Sequence, residues 1–294
     1  MLIGTMNQTQ DNKKSGHQQV FLLVLTGLLI LRIPFLAGMR FFNIEWAWTD
    51  TVYQIGTYLL TTFLIWWERD RLVDFHIDLS AIVIIVLLKP LQTFIHSGYD
   101  DKLVFPKPLS LVILGIAIVF VIAIWKHRSS LPKFQKSSFL WLGIGILAGL
   151  GTAIALGYPW SFMYTSESAS FTGPLTLFSN LTSSTIVVSF AYQMSMAAVS
   201  EEPVFRGFLW GYLRKLGWKD IKILFFQAAL FTFAHIYALR GFPISFWIIV
   251  PVVSLILGLL VWRSRTITSS MAAHGMINAT GSIIANLIAL YRFR

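Results

Sequence analysis

The chain contains no cysteine. That absence removes disulfide scaffolds, thiolate zinc sites, iron-sulfur clusters and a cysteine nucleophile together. Charge is scarce as well: charged residues make up 12% of the sequence, against roughly 25% in soluble domains. With 56% hydrophobic residues, 24 Phe and 11 Trp among 294 residues, and a mean hydropathy of +0.69, a soluble fold would leave large apolar patches in water. Internal repeats are also missing, which argues against transporter folds built from duplicated bundles. The net charge of +10 comes without a basic face or a base-reading motif, so nucleic acid is excluded as a partner. Membrane lipid is the expected solvent and partner. The first apolar run has Arg32 and Pro34 near its end and no small-residue cleavage site, so it reads as a retained segment.

A bilayer core of about 30 Å takes about 20 apolar residues per helix. Nine runs approach that length: Val20 to Ala37, Thr49 to Trp67, Leu79 to Ile95, Leu109 to Trp125, Phe139 to Leu156, Ile186 to Leu213, Lys222 to Leu239, Phe242 to Trp262 and Thr266 to Leu290. The third is interrupted by Lys89-Pro90, so the expected architecture is all-α, a polytopic integral membrane helical bundle of eight or nine transmembrane helices. Nine spans place 15 cations, Arg206 among them, in alternate segments shared with the N-terminus and six in the others. By the positive-inside rule the N-terminus is then cytoplasmic, in what is expected to be the plasma membrane. Four regions follow: a cytoplasmic tail at 1–17, a transmembrane region at 18–157 without recognised motifs, an outer loop at 158–175 rich in Ser and Thr, and a second transmembrane region at 176–294.

The two halves differ in their intramembrane polar groups. Upstream stand Arg32 and Lys89, each near a helix end where snorkelling suffices. Downstream stand Glu201, Glu202, His235 and His274. An ionisable group at mid-bilayer costs roughly 2.5 to 3.5 kcal/mol on insertion scales, so such groups face partners or water. At about 1.5 Å per residue from the inner helix ends, Glu201, His235, His274 and Asn278 all fall about 12 to 20 Å deep. They share one layer.

Three short patterns carry these residues. In Glu201-Glu202-Pro203-Val204-Phe205-Arg206, adjacent glutamates diverge by about 100° on a helix, so they take different jobs. Glu202 and Arg206 are spaced i, i+4 for an ion pair, which leaves Glu201 for other work, and Pro203 withholds a backbone donor and bends the helix. Phe231 and His235 lie one turn apart, as do His274 and Asn278, with Gly275 permitting close helix approach. Each pattern alone fits simple interhelical packing. Together, a carboxylate, two imidazoles and a carboxamide suit amide hydrolysis, with Glu201 as general base on a water held by His235 and with His274 and Asn278 donating to the oxyanion. The same Glu201, His235 and His274 also make three ligands for a catalytic zinc, although no HExxH helix is present. The thin set of supporting groups around those ligands favours the metal-independent site, and zinc stays open.

The three patterns, in order, resemble the EExxxR, FxxxH and HxxxN motifs of the CPBP family, the Abi or CAAX-protease and bacteriocin-processing intramembrane proteases. The resemblance covers roughly Ile186 to Leu290. It implies an endopeptidase with a cavity open to the cytoplasmic side, acting on a hydrophobic or lipidated peptide. It also implies catalytic roles for Glu201, His235, His274 and Asn278, and a supporting role for Glu202, Arg206 and Phe231. The family has been described both as metalloproteases and as metal-independent glutamate proteases, and relatives are tied to bacteriocin immunity and peptide maturation. Two other classes compete: a non-catalytic membrane binding or immunity protein, and a proton-coupled transporter. Against transport, no ionisable residues continue the path through the outer half.

Overall fold

The computed structural model describes residues 16–28, 30–31, 46–97, 108–134, 136–162, 183–241 and 243–292. Among these residues the fold is all-α, with no strand. We number the helices α1 (16–28), α2 (Trp46–Trp67), α3 (Leu79–Ser97), α4 (Pro108–Trp125) and α5 (Ser137–Ser161). α6 runs without a break through Ser183–Gln193, Met194–Ala198, Val199–Glu202, Pro203–Leu209 and Trp210–Lys215; α7 (Asp220–Phe233), α8 (Ala238–Gly241), α9 (Ser245–Ser264) and α10 (Ile267–Arg292) follow.

The expected segments are helical over most of their described residues, but the seventh breaks into a turn at 234–237. Their number as membrane spans is a different matter: α5 and α9 alone are both long and apolar enough to cross a bilayer by length and composition among the described residues. The physical reason lies in what the others carry. α7 has 14 residues, about 21 Å of helix. α10 has 26 residues, ample in length, but it is filled with Ser, Thr, Gly, His and Asn. Lys89-Pro90 does not end α3, which continues past Pro90 to Ser97. α5 likewise runs through Pro159 to Ser161, so the first residues of the expected outer loop are helical; 163–175 lies outside the described residues, as do 1–15 of the expected tail and 32–37 of the first run.

Polarity is inverted relative to a soluble protein. Leu147 is 70% exposed and Trp247 69%, while Glu202 and Arg206 are fully buried. Apolar side chains outside and charges inside are what lipid as solvent requires. Small residues then allow the inner helices to close. A Cβ on Gly145 of α5 would overlap the Ser269 carbonyl oxygen of α10, so the two backbones meet directly at this point.

The start of α10 is fixed by a carboxylate. Asp78 Oδ1 accepts from Ala81 N at 2.9 Å, capping α3, and from Thr268 Oγ1 at 2.8 Å, while its Oδ2 accepts from Ser138 Oγ at 2.6 Å. Ile267 N–H donates to the His76 carbonyl at 2.8 Å. One buried group thus ties α3, α5 and α10 together, two turns before His274. Nearby, Asp220 begins α7 and accepts from Arg214 Nη2 at 2.7 Å and from Trp210 Nε1 at 3.1 Å. That orders the turn between α6 and α7.

Candidate active site

Four side chains singled out by sequence, Glu201, His235, His274 and Asn278, line one cavity of about 280 Å³. Three elements deliver them, α6, the turn after α7, and α10. The path of α6 explains how both glutamates reach the interior. Pro203 cannot donate to Val199, and the chain answers with π-turns rather than a break: Met194–Ala198 and Pro203–Leu209 flank the α-helical turn Val199–Glu202. Gly275 of α10 sits against the first π-turn, where a Cβ would come 3.0 Å from Met194 Cβ. This close approach carries His274 to α6.

The adjacent glutamates diverge as helical geometry requires. Glu201 lines the cavity, and its Oε1 accepts from Tyr53 Oη at 3.2 Å. Glu202 faces the other way, where its Oε1 receives Arg206 Nη1 at 3.1 Å and His274 Nδ1 at 2.8 Å. Arg206 also donates from Nη2 to Ser254 Oγ at 2.8 Å, and its guanidinium lies 4.1 Å above the Phe231 ring. Sequence spacing anticipates the Glu202–Arg206 pair; it does not anticipate that the same oxygen holds His274. Since a carboxylate accepts, His274 carries its proton on Nδ1. Its Nε2 stands 4.0 Å from Glu201 Oε2, beyond direct hydrogen bonding.

His235 is placed differently from its expected position inside a long helix. α7 ends at Phe233, and His235 N–H turns to the Thr232 carbonyl at 2.9 Å. The Phe231 carbonyl, which would have received that N–H in a continuing helix, instead accepts from the His235 ring at Nδ1, 2.8 Å away. The ring is therefore held with its proton on Nδ1, tilted by 40° against the Phe231 ring with centroids 4.5 Å apart. The Phe-to-His spacing of four residues is thus explained by the helix end.

Other residues of the site were missed at the sequence level. Tyr53 and Gln54 of α2, Trp160 of α5 and Tyr237 also line the cavity. Lys89 does not snorkel: it is fully buried, and its Nζ donates to Gln54 Oε1 at 3.1 Å and reaches Ser200 Oγ at 3.5 Å. Arg206, one of the 15 cations assigned to loops by the span count, is likewise fully buried, which weakens the charge bias by one. The first half therefore contributes directly to the site. Depth arithmetic already held the signal for Lys89, ten residues or about 15 Å beyond Leu79, in the same layer as Glu201.

As for zinc, no group of three His, Asp or Glu side chains is gathered as a metal site among the described residues. The Glu202 carboxylate and the Phe231 carbonyl hold the Nδ1 atoms of His274 and His235, an orientation that serves a metal-ligating imidazole as well as a metal-independent one.

Residues 183–280 match the family model described as type II CAAX prenyl endopeptidase Rce1-like. This is the CAAX-protease family that the three motifs resemble, and the matched segment holds all of them. The match and the two long apolar helices together suggest an integral membrane protein, and the match points to a peptidase of the CAAX-protease type. No curated protein and no solved structure gives a match.

Proposed function

We propose that the protein is an intramembrane endopeptidase that hydrolyses a peptide bond in a hydrophobic or lipidated peptide. The observation that carries this reading is the shared cavity, in which Glu201, His235, His274 and Asn278 converge from three separate elements. A water between Glu201 and His235 loses a proton to the Glu201 carboxylate, while His235, with its proton on Nδ1, accepts from that water at Nε2. The resulting hydroxide attacks the carbonyl carbon. Negative charge then moves to the carbonyl oxygen, which receives hydrogen bonds from Asn278 and from His274 Nε2. Donation from His274 Nε2 requires the doubly protonated ring, with Glu202 as its counter-ion at 2.8 Å. When the intermediate collapses, the proton held by Glu201 passes to the leaving amine. The low dielectric strengthens each of these interactions.

The apolar cavity wall, with Trp160, Ile249, Val253 and Ile277, suits a hydrophobic substrate segment. The test is mass spectrometry of membrane peptides from cells carrying wild type or Glu201→Gln. Cleaved peptides present only with wild type are expected. Identical peptide sets, with both proteins at equal abundance, overturn the reading.

A further inference from the structure

Tyr53 lies on α2, outside residues 183–280 and outside all three motifs. Its hydroxyl nevertheless donates to Glu201 Oε1 at 3.2 Å, and both side chains line the same cavity. The contact is direct. It is long for a hydroxyl on a carboxylate, as hydrogen bonds of catalytic groups often are before substrate binds.

The donor is rigid. A tyrosine side chain has two torsions, and this ring is 8% exposed, so the place of the hydroxyl follows from the backbone of α2. That backbone is tied to α3 on the next turn: Gln54 Oε1 accepts from Lys89 Nζ at 3.1 Å, and Tyr58 Oη donates to the Ile85 carbonyl at 3.4 Å. The acceptor is the flexible partner, because a glutamate carboxylate turns about its last torsion unless something holds it. With Oε1 on Tyr53, Oε2 stands 4.0 Å from His274 Nε2 of α10. General-base hydrolysis needs one carboxylate oxygen at the attacking water, beside the donors that receive the carbonyl oxygen, since both oxygens join one tetrahedral centre. Oε2 meets that requirement.

We propose that Tyr53 is the positioning residue for Glu201: its hydroxyl fixes Oε1 and thereby presents Oε2 as the oxygen that takes the proton from water. This deepens the reading of Glu201 as the general base and rests on it. In this scheme the phenol acts only through the carboxylate it holds. The upstream half of the chain aims the base that the motif supplies.

Two measurements on detergent-purified full-length protein test it. The first is a thermal-stability cycle of wild type, Tyr53→Phe, Glu201→Ala and the double variant, which needs no substrate. Tyr53→Phe keeps the ring and removes the hydroxyl, so it should lower the melting midpoint by roughly 2 °C or more. In the Glu201→Ala background the same substitution should cost less than half as much, because the acceptor is already gone. Additive effects overturn the proposal. If Glu201→Ala does not accumulate, the second measurement decides alone. That measurement is steady-state cleavage of a peptide found by mass spectrometry to be cut by wild type. Per folded molecule, Tyr53→Phe should lower kcat about 10- to 100-fold while KM changes by less than about threefold. A variant that is less stable but turns over at the wild-type rate overturns the proposal, because the hydroxyl then serves folding alone. A raised KM with unchanged kcat also overturns it, because the hydroxyl then binds substrate. If wild type cuts no peptide, the endopeptidase reading falls and takes this one with it; cleavage by wild type, with additive stabilities or an unchanged kcat, sinks this proposal alone.

Discussion

The glutamine substitutions at 201 and 202 separate two carboxylates that are neighbours in sequence. Glu202 is fully buried, and one of its oxygens serves both Arg206 Nη1 at 3.1 Å and His274 Nδ1 at 2.8 Å. Removing one charge from a buried pair destabilises by about 3 to 5 kcal/mol. Glutamine keeps an oxygen acceptor in place, which recovers about 1 kcal/mol as a neutral hydrogen bond. The interactions of Arg206 with Ser254 and the Phe231 face are present before and after, so they do not offset the loss. A net penalty of about 3 kcal/mol follows, or roughly 6 °C in melting midpoint for a chain of this size. Glu201 lies at the cavity wall and keeps its Tyr53 hydrogen bond as glutamine, so its penalty should be no more than half of that. Cleavage should respond in the opposite order, with Glu201→Gln abolishing it and Glu202→Gln leaving a reduced rate in the folded fraction, because His274 loses its counter-ion. Thermal unfolding in detergent, paired with peptide cleavage on the same preparations, measures both. Equal melting midpoints for the two variants would refute the reasoning.

Glycine positions on α5 give a second expectation: Gly149→Ala, whose Cβ would meet the Ala273 backbone, should destabilise by about 1 to 3 kcal/mol, whereas Gly151→Ala, with open space around its Cβ, should be neutral or slightly stabilising in thermal unfolding. His76 is pushed down to about 4 by burial and by Arg214 and Arg265. The unfolded chain therefore binds a proton that the folded one refuses, so stability falls as pH drops from about 6.5 toward 4, by up to about 3 kcal/mol; His76→Asn, which tolerates the positive φ, should flatten that part of a melting curve series. For the metal question, chelator-treated and metal-analysed protein should still cleave, and activity lost with a stoichiometric ion and restored by zinc would overturn the metal-independent scheme.

Much of the site is legible before any coordinates because its signals are local. The i, i+4 spacing puts Arg206 beside Glu202, the 100° step sends Glu201 elsewhere, and depth along each helix places four polar groups in one layer. What escapes is decided between helices or at helix ends. Nothing local says that α3 packs near α6, so Lys89 reads as a snorkelling side chain when it is fully buried. Nothing local ends α7 at Phe233, since apolar residues continue beyond it, yet that end is what turns the His235 ring onto the Phe231 carbonyl. Pro203 reads as a bend, whereas the chain keeps its helical course by widening two turns around the glutamates.

The two imidazoles show why the helix end matters to the chemistry. Both are held at Nδ1 by an acceptor at 2.8 Å, and the proposed scheme uses each through Nε2. They differ in what holds them. For His235 the acceptor is a neutral backbone carbonyl, a dipole that fixes the tautomer but offers little to a second positive charge, so the ring is suited to accept from water. For His274 it is the Glu202 carboxylate, a full negative charge, and the proposed scheme uses this ring as a donor toward the developing oxyanion. In the proposed scheme these two rings take opposite hydrogen-bonding roles, and the difference that supports it is carbonyl against carboxylate. That assignment is why Glu202 should matter to cleavage as well as to folding.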